Sequence, residues 1–145
     1  MTVVLLFVSC GNPSPVDQAS PRSDHLASLD TTGVDADGIF VSVRLTEYQF
    51  VASEDTFDQG RSYVFELVNE GSEAHEWAVI PRGATTEEEI LVEVEKEELP
   101  AGATHTESFV FSDAGEFDFV CLVDDPVSHD ESGMRHPIVV VASEQ

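Results

Sequence analysis

The chain has 145 residues, which is enough for one β-sandwich core but leaves no room for a second, catalytic domain. Six basic residues stand against 29 acidic ones, and the formal net charge of −23 argues against nucleic acids or anionic lipids as charge-driven partners. A basic protein partner and a saline habitat both remain open, because an acidic surface serves either purpose.

The chain starts with a short apolar run at residues 2–9, which is far too short to span a bilayer as a helix. The run resembles the end of a secretory signal, although the basic residues that normally open such a signal are missing. Cys10 and the following Gly11-Asn12 resemble the lipobox of bacterial and archaeal lipoproteins. We therefore predict a signal and lipobox segment at residues 1–10, with Cys10 carrying a lipid that anchors the protein outside the cytoplasmic membrane.

Residues 11–38 are rich in Pro, Ser, Asp and Thr and contain few large apolar side chains. Such a composition cannot bury a core, so the segment is predicted to be a disordered acidic tether. A tether of this length would let an anchored domain reach several membrane-bound partners.

From Ile39 onward the pattern of apolar residues changes to the alternation that is typical of β-strands. Residues 40–46 form the first predicted strand, and residues 48–50 continue it after a short break. Residues 54–61 contain Asp and Gly and are predicted to form a turn. The next strand is predicted at residues 62–68, and another at residues 75–80.

The segment at residues 85–99 departs from the β pattern. Thr86 and Glu89 have the spacing of a capping box, and the apolar residues that follow have helix-like spacing. We predict a short helix or an irregular excursion here. The many glutamates of the segment are most simply a solvated face, with a docking patch for a partner as the alternative.

Three further strands are predicted at residues 106–111, 117–121 and 137–142, separated by turns that contain Gly. The predicted fold is therefore all-β, an antiparallel Greek-key sandwich of about seven to eight strands with one short helical excursion.

The last part of the chain brings together residue types that bind soft or borderline metals. Cys121 ends a predicted strand, and the acidic loop that follows it contains His129 and Met134. A second imidazole is available at His75, in the turn before another strand. A thiolate, imidazoles and a weak thioether suit copper that cycles between two oxidation states. Taken singly, a buried Cys or Met is more often part of the core, and it is their joint order that indicates a site.

These motifs resemble the cupredoxins, the small blue copper proteins such as plastocyanin, azurin and the halocyanins, over about residues 40–142. The similar segments are Asn69-x-Gly-x3-His75-Glu-Trp, Gly-Glu-Phe-Asp-Phe-Val-Cys121, and His129-x4-Met134. The resemblance implies a cupredoxin-like domain at residues 39–145 that binds one copper ion. It also implies the ligands, with three in a plane and the fourth as a distant axial ligand: His75, Cys121, His129 and, axially, Met134.

One spacing departs from the family pattern. Seven residues separate Cys121 from His129, whereas many cupredoxins have about two to four between the corresponding ligands. If the longer loop displaced His129, His136 or Asp125 would be the alternative ligand. A further histidine, His105, precedes a predicted strand and is expected to be exposed.

The acidic residues of this loop bear on redox behaviour as well as on spacing. Negative charge close to the metal favours the more positive oxidised ion, so Asp124 and Asp125 predict a lowered reduction potential.

The resemblance implies a one-electron carrier between extracytoplasmic redox proteins, without enzyme activity and as a monomer, with electrons passing through an apolar patch at the exposed edge of a histidine. A copper-delivery module and a metal-free structural domain are the alternatives; exposed clusters of Met or His would mark the former. A multicopper oxidase would need further domains and His-x-His pairs, and a binuclear centre would need a second Cys in the loop.

Overall fold

The computed structural model describes residues 38–143, which form nine strands in two sheets. The predicted signal segment, Cys10 with its predicted lipid, and nearly all of the predicted tether lie outside the described residues. The elements in chain order are β1 Ile39–Thr46, β2 Gln49–Ala52, β3 Thr56–Asp58, β4 Ser62–Asn69, β5 Trp77–Pro81, a 3-10 helix Glu87–Glu89, β6 Val92–Val94, β7 Thr104–Val110, β8 Gly115–Val120 and β9 Arg135–Val141.

The strands are arranged as a four-stranded sheet in the order β2-β1-β4-β7 and a five-stranded sheet in the order β3-β9-β8-β5-β6. The predicted all-β sandwich is therefore confirmed. The expectation of purely antiparallel pairing is wrong at two places, since β1 pairs with β4 and β3 with β9 in parallel. The first parallel pair arises because β3 crosses to the second sheet before the chain returns beside β1.

The core lies between the two sheets and is dominated by aromatic side chains. The ring centroids of Phe65 and Trp77 are 5.0 Å apart, and those of Trp77 and Phe119 are 5.3 Å apart. All three residues are fully buried, and each such side chain stabilises the fold by roughly 2–3 kcal/mol through burial. Trp77 and Phe119 belong to strands that lead from or toward the predicted ligands, so this packing gives the site a rigid base.

Two stretches fold differently from their predicted form. Residues 54–61 contain the short strand β3, whose Phe57 is buried in the core, rather than a turn alone. Residues 85–99 contain only one 3-10 turn and the edge strand β6. The predicted capping box does not form, because Thr86 donates its hydroxyl to the Glu89 carboxylate (3.1 Å) and no side chain caps the backbone. Within residues 38–143 the structure contains no helix that is both long and apolar enough to cross a membrane.

The placement of His105 also differs from the prediction. It lies within β7, opposite Leu67, and is half-buried beside the carboxylates of Glu98 and Glu107. The strand starts two residues earlier than predicted, which brings His105 into the sheet.

The arginines of the described part of the chain all form ion pairs with acidic side chains. The pairs are Arg44 with Glu70, Arg61 with Asp58, Arg82 with Glu116 and Asp118, and Arg135 with Asp118 and Asp130. Asp118, which is almost fully buried, therefore receives two guanidinium groups. Ion pairing on this scale leaves the remaining carboxylates of the surface with little positive charge to balance them.

Candidate metal centre

Three predicted ligands meet at one end of the sandwich. The Nδ1 atom of His129 lies 3.2 Å from Nδ1 of His75 and 3.3 Å from Sγ of Cys121. One donor atom from each residue lies within 4.8 Å of the other two, and all three residues are buried. These separations are those expected of donors that each lie about 2 Å from one shared metal ion.

Strand β8 delivers Cys121 to this point. Phe117 and Phe119 face the core, and continued alternation turns the side chain of Cys121 to the same inner face, immediately after the last residue of the strand. The backbone N–H of Glu76 donates to Sγ at 3.3 Å. A sulfur atom held in this way has a fixed direction, and a donor at the sulfur is one of the contacts that tune a thiolate ligand.

The turn before His75 is held by the buried side chain of Asn69. Its amide nitrogen donates to the carbonyl oxygens of Glu73 and Leu99, both at 2.8 Å, and its oxygen accepts from the N–H of Gly71 at 2.9 Å. The backbone N–H of His75 in turn donates to the Leu99 carbonyl at 3.2 Å. The Asn-x-Gly motif thus fixes the backbone that presents the first imidazole.

Gly71 permits a close approach between two turns. A Cβ atom at this position would lie 2.7 Å from a carboxylate oxygen of Glu47 and 3.0 Å from Nε2 of His75. Glu47 accepts hydrogen bonds from the backbone N–H and the hydroxyl of Ser72 and from the N–H of Glu73. The absent side chain of Gly71 therefore lets the β1–β2 turn bind the turn that carries His75.

The loop between Cys121 and Met134 is closed by its own backbone. The N–H of His129 donates to the Val123 carbonyl at 2.9 Å, and the N–H of Met134 donates to the His129 carbonyl at 2.9 Å. Met134 is fully buried next to β9, and Gly133 before it has φ of 105°, a conformation that favours glycine. The seven-residue interval therefore bulges outward while His129 stays beside Cys121.

Arg135 fastens this loop to the sandwich. Its guanidinium binds both carboxylate oxygens of Asp130 at 2.8 Å, donates to Asp118 of β8 at 2.8 Å, and donates to the Ala84 carbonyl at 3.0 Å. Paired charged hydrogen bonds of this kind are strong and directional. Because Asp130 directly follows His129, the contact fixes the backbone of that histidine.

The electrostatic environment favours the uncharged forms of Cys121 and His75 when no metal is bound. Burial raises the pKa of the Cys121 thiol to about 11, although the N–H of Glu76 opposes the shift. Burial, followed by the nearby His129, lowers the pKa of His75. A metal cation that binds here must therefore displace the thiol proton but finds an imidazole that is already neutral.

The side chain of His129 is covered rather than exposed. Only 1% of its surface is accessible, so the expectation of an exposed histidine edge is wrong. The ring of Tyr48 meets it edge-on at a centroid distance of 5.2 Å, and Oε2 of Glu73 lies 3.5 Å from its Nε2 atom. Tyr48 has φ of 61°, which non-glycine residues rarely adopt, and this conformation of the β1–β2 turn brings its ring to the site.

The alternative ligands do not join the group. His136 lies in β9 with its ring stacked on Phe119, 17° from parallel, and Asp125 is an exposed residue of the loop. His129, which they were to replace, is in place. The assignment of metal ligation to His75, Cys121, His129 and Met134 stays a prediction that the geometry of the first three suits.

Three residues around the site were not predicted from the sequence, namely Tyr48, Glu73 and Arg135. Tyr48 carries no signal, because nothing in a strand pattern predicts a left-handed residue at that point. Glu73 is one of many glutamates. The signal that was available is the pair Asp130 and Arg135, which flank His129 and Met134 in the sequence and have the spacing to bind each other across the loop.

Comparison with known proteins shows the fold. No model of a protein family matches the sequence, and no curated protein matches it. Among solved structures, an auracyanin from Roseiflexus castenholzii is 14% identical with a TM-score of 0.55, over 74% of this chain and 99% of that one. Auracyanin A, a "blue" copper protein from Chloroflexus aurantiacus, is 17% identical with a TM-score of 0.51, over 70% and 99%. The copper protein rusticyanin is 13% identical with a TM-score of 0.58, over 74% and 80%.

The described part of the chain therefore has the fold of the blue copper proteins, and the predicted cupredoxin-like sandwich is confirmed.

Proposed function

We propose that the chain binds one copper ion through His75, Cys121, His129 and Met134 and serves as a one-electron carrier. The observation that carries the proposal is the convergence of two imidazole Nδ1 atoms and one thiol sulfur in a buried position. Two histidines and a cysteine with a weak thioether form the donor set of blue copper electron-transfer sites. Copper bound here would supply the change between two oxidation states.

The residues of the chain keep the site rigid and dry. The Arg135 contact and the backbone bond between Cys121 and Met134 restrict movement of the ligand loop. Burial of the donors excludes water from the ligands. A site whose ligands are held in one arrangement needs little rearrangement when an electron arrives or leaves, and this is what a carrier requires.

The test is reconstitution of the full chain with Cu(II), followed by visible absorption and EPR spectroscopy. We expect an intense thiolate-to-copper band and a narrow copper hyperfine splitting, both lost in Cys121→Ser. His105→Ala, which removes an imidazole outside the group, is the matched control and keeps both signals. A colourless protein, or binding unchanged by Cys121→Ser, would overturn the proposal in favour of a metal-free structural domain.

We propose further that the partners are redox proteins with basic surfaces and that the protein acts as a monomer without enzyme activity. The net charge of −23 supports a basic partner. A groove of about 500 Å³ next to the site combines apolar lining residues, such as Ala74, Pro100 and Val123, with charged ones, such as Glu73 and Glu97, and offers a contact surface. The rate of electron transfer to a basic c-type cytochrome should fall as salt is added, because salt screens the attraction. A rate that does not change with ionic strength would contradict a charge-driven partner.

The proposed location is outside the cytoplasmic membrane, attached through a lipid on Cys10. The support is the lipobox-like sequence that precedes the tether. Fractionation of cells that express the full chain, with mass spectrometry of the N-terminal peptide, tests the proposal. A protein that stays in the membrane fraction after Cys10→Ala would contradict it.

A further inference from the structure

The side chain that lies against His129 on its solvent side, Glu73, is not one of the proposed ligands. In the described part of the chain, Nε2 of His129 and Oε2 of Glu73 are both buried, and neither has a conventional hydrogen-bond partner. They face each other at 3.5 Å. Buried polar groups of native proteins are normally paired, so each of these atoms is the evident partner of the other.

The backbone of Glu73 is held by hydrogen bonds on both sides, whereas its side chain can rotate. Its backbone N–H donates to the carboxylate of Glu47 at 3.2 Å, and its carbonyl accepts from Asn69 at 2.8 Å. The side chain as a whole is 39% exposed, yet one of its two oxygens is buried against the imidazole. The carboxylate therefore lies between the solvent and the ring of His129.

We infer that Glu73 is a positioning residue for the metal site: its carboxylate accepts the Nε2 proton of His129, directs the Nδ1 lone pair toward Cys121 and His75, and shields the ring from solvent. The inference rests on the proposed function, because it concerns the same site. A proton held on Nε2 leaves Nδ1 unprotonated in the neutral ring. That tautomer is the one in which the atom nearest Sγ is free to bind a metal.

A carboxylate in this position has two separable effects. It orients the ligand, which any hydrogen-bond acceptor of the same shape can do, and it adds a negative charge that favours the oxidised metal. Glu73→Gln keeps an acceptor oxygen and removes the charge, whereas Glu73→Ala removes both. Glu97, an exposed residue that lines the same groove, supplies a control for the charge alone.

The first measurement uses the copper-free full chain. Long-range proton–nitrogen NMR reads the tautomer of each histidine, and we expect His129 to carry its proton on Nε2 in the wild type and in Glu97→Gln. In Glu73→Ala we expect a mixture of both tautomers. A wild type with the proton on Nδ1, or one whose tautomer is unchanged in Glu73→Ala, would overturn the inference without reference to copper.

The second measurement uses the copper-loaded chain. Glu73→Ala should weaken Cu(II) affinity by roughly 10–100-fold and broaden the EPR hyperfine pattern. Glu73→Gln should restore the wild-type spectrum but show a raised reduction potential, and Glu97→Gln should raise it less. Equal potentials and affinities in all four proteins would overturn the inference. A wild type without the blue signal would count against the proposed function instead, and the NMR result would still decide the role of Glu73.

Discussion

The carbonyl oxygen of Met134 accepts a hydrogen bond from the backbone N–H of Cys121 at 3.2 Å. This bond brings the last predicted ligand back beside the first residue of the loop. The distance between the donors is therefore set by the closed ends of the loop and not by the number of residues within it. An interval longer than that of many cupredoxins is compatible with the same grouping of side chains.

Arg135→Gln is expected to destabilise the copper-free protein. The substitution removes both bonds to Asp130 and one to the nearly buried Asp118, although Arg82 remains beside Asp118. We expect the free energy of unfolding to fall by about 2–3 kcal/mol. Urea denaturation followed by tryptophan fluorescence measures the change.

The control for this substitution is Arg61→Gln, which breaks only the exposed pair with Asp58. Such pairs contribute less than about 1 kcal/mol, so its unfolding curve should lie close to that of the wild type. An equal decrease in the free energy of unfolding in the two variants would show that Arg135 has no special role in holding the loop.

Glu47→Gln is expected to make the stability of the fold less dependent on pH in the acidic range. Hydrogen bonds, with the N–H of Ser72 contributing most, lower the pKa of Glu47 from 4.5 to about 2. A carboxylate with a lowered folded-state pKa stabilises the fold above 4.5, and the contribution is lost as the pH falls toward 2. The advantage of the wild type over Glu47→Gln in urea midpoint should therefore be constant above pH 4.5 and shrink between 4.5 and 2.

Glu54→Gln, at an exposed position in the same sheet region, is the comparison for Glu47. It removes an exposed carboxylate away from the His75 turn, so we expect a urea midpoint close to that of the wild type. A Glu47→Gln protein that is as stable as the wild type throughout would contradict the role of Glu47 in holding the His75 turn.

Met134→Leu is expected to separate the role of this buried side chain in core packing from its proposed role as a copper ligand. The substitution nearly conserves the volume of a buried side chain, so the free energy of unfolding should change by less than about 1.5 kcal/mol. Loss of the axial donor leaves only an apolar side chain beside the metal, which stabilises the more positive oxidised ion less, so the reduction potential should rise while the thiolate band stays. Voltammetry of the copper-loaded variant measures the shift. An unchanged potential would remove Met134 from the ligand set.

Asp124→Asn and Asp125→Asn are each expected to raise the reduction potential. Both residues are exposed on the loop that follows Cys121. Charges exposed to water interact weakly, by roughly a few tenths of a kcal/mol at a separation of about 10 Å, so the shift should be small and should shrink at high salt. Asp113→Asn, in the turn before β8, serves as the distant control. Potentials that do not rise in the loop variants would show that these charges do not act on the metal.

The sequence was sufficient to predict the fold class and the grouping of His75, Cys121 and His129. Cys121 directly follows β8 and His75 lies just before β5, whereas His129 lies inside the loop between β8 and β9, so its place in the group came from the resemblance to the cupredoxins. The prediction for Cys121 worked because Phe117 and Phe119 fix the inner face of β8.

The features that were missed depend on contacts between distant segments. Phe57 lies among turn-forming residues, and only its parallel pairing with β9 reveals a strand. Val94 continued a helix-like spacing, but it is buried because β6 pairs with β5 opposite Trp77. Glu73 cannot be distinguished from the other glutamates until the fold brings it to His129.

The pairing of every arginine in the described residues with an acidic neighbour also bears on how copies of the protein meet. Two molecules that each carry a net charge of −23 offer each other few cationic groups, and they repel over about 10 Å at 0.1 M salt. For the proposed carrier, electron self-exchange would then be slow in dilute solution and faster in brine. An electron received from a donor would stay on its molecule until an acceptor of opposite charge arrived.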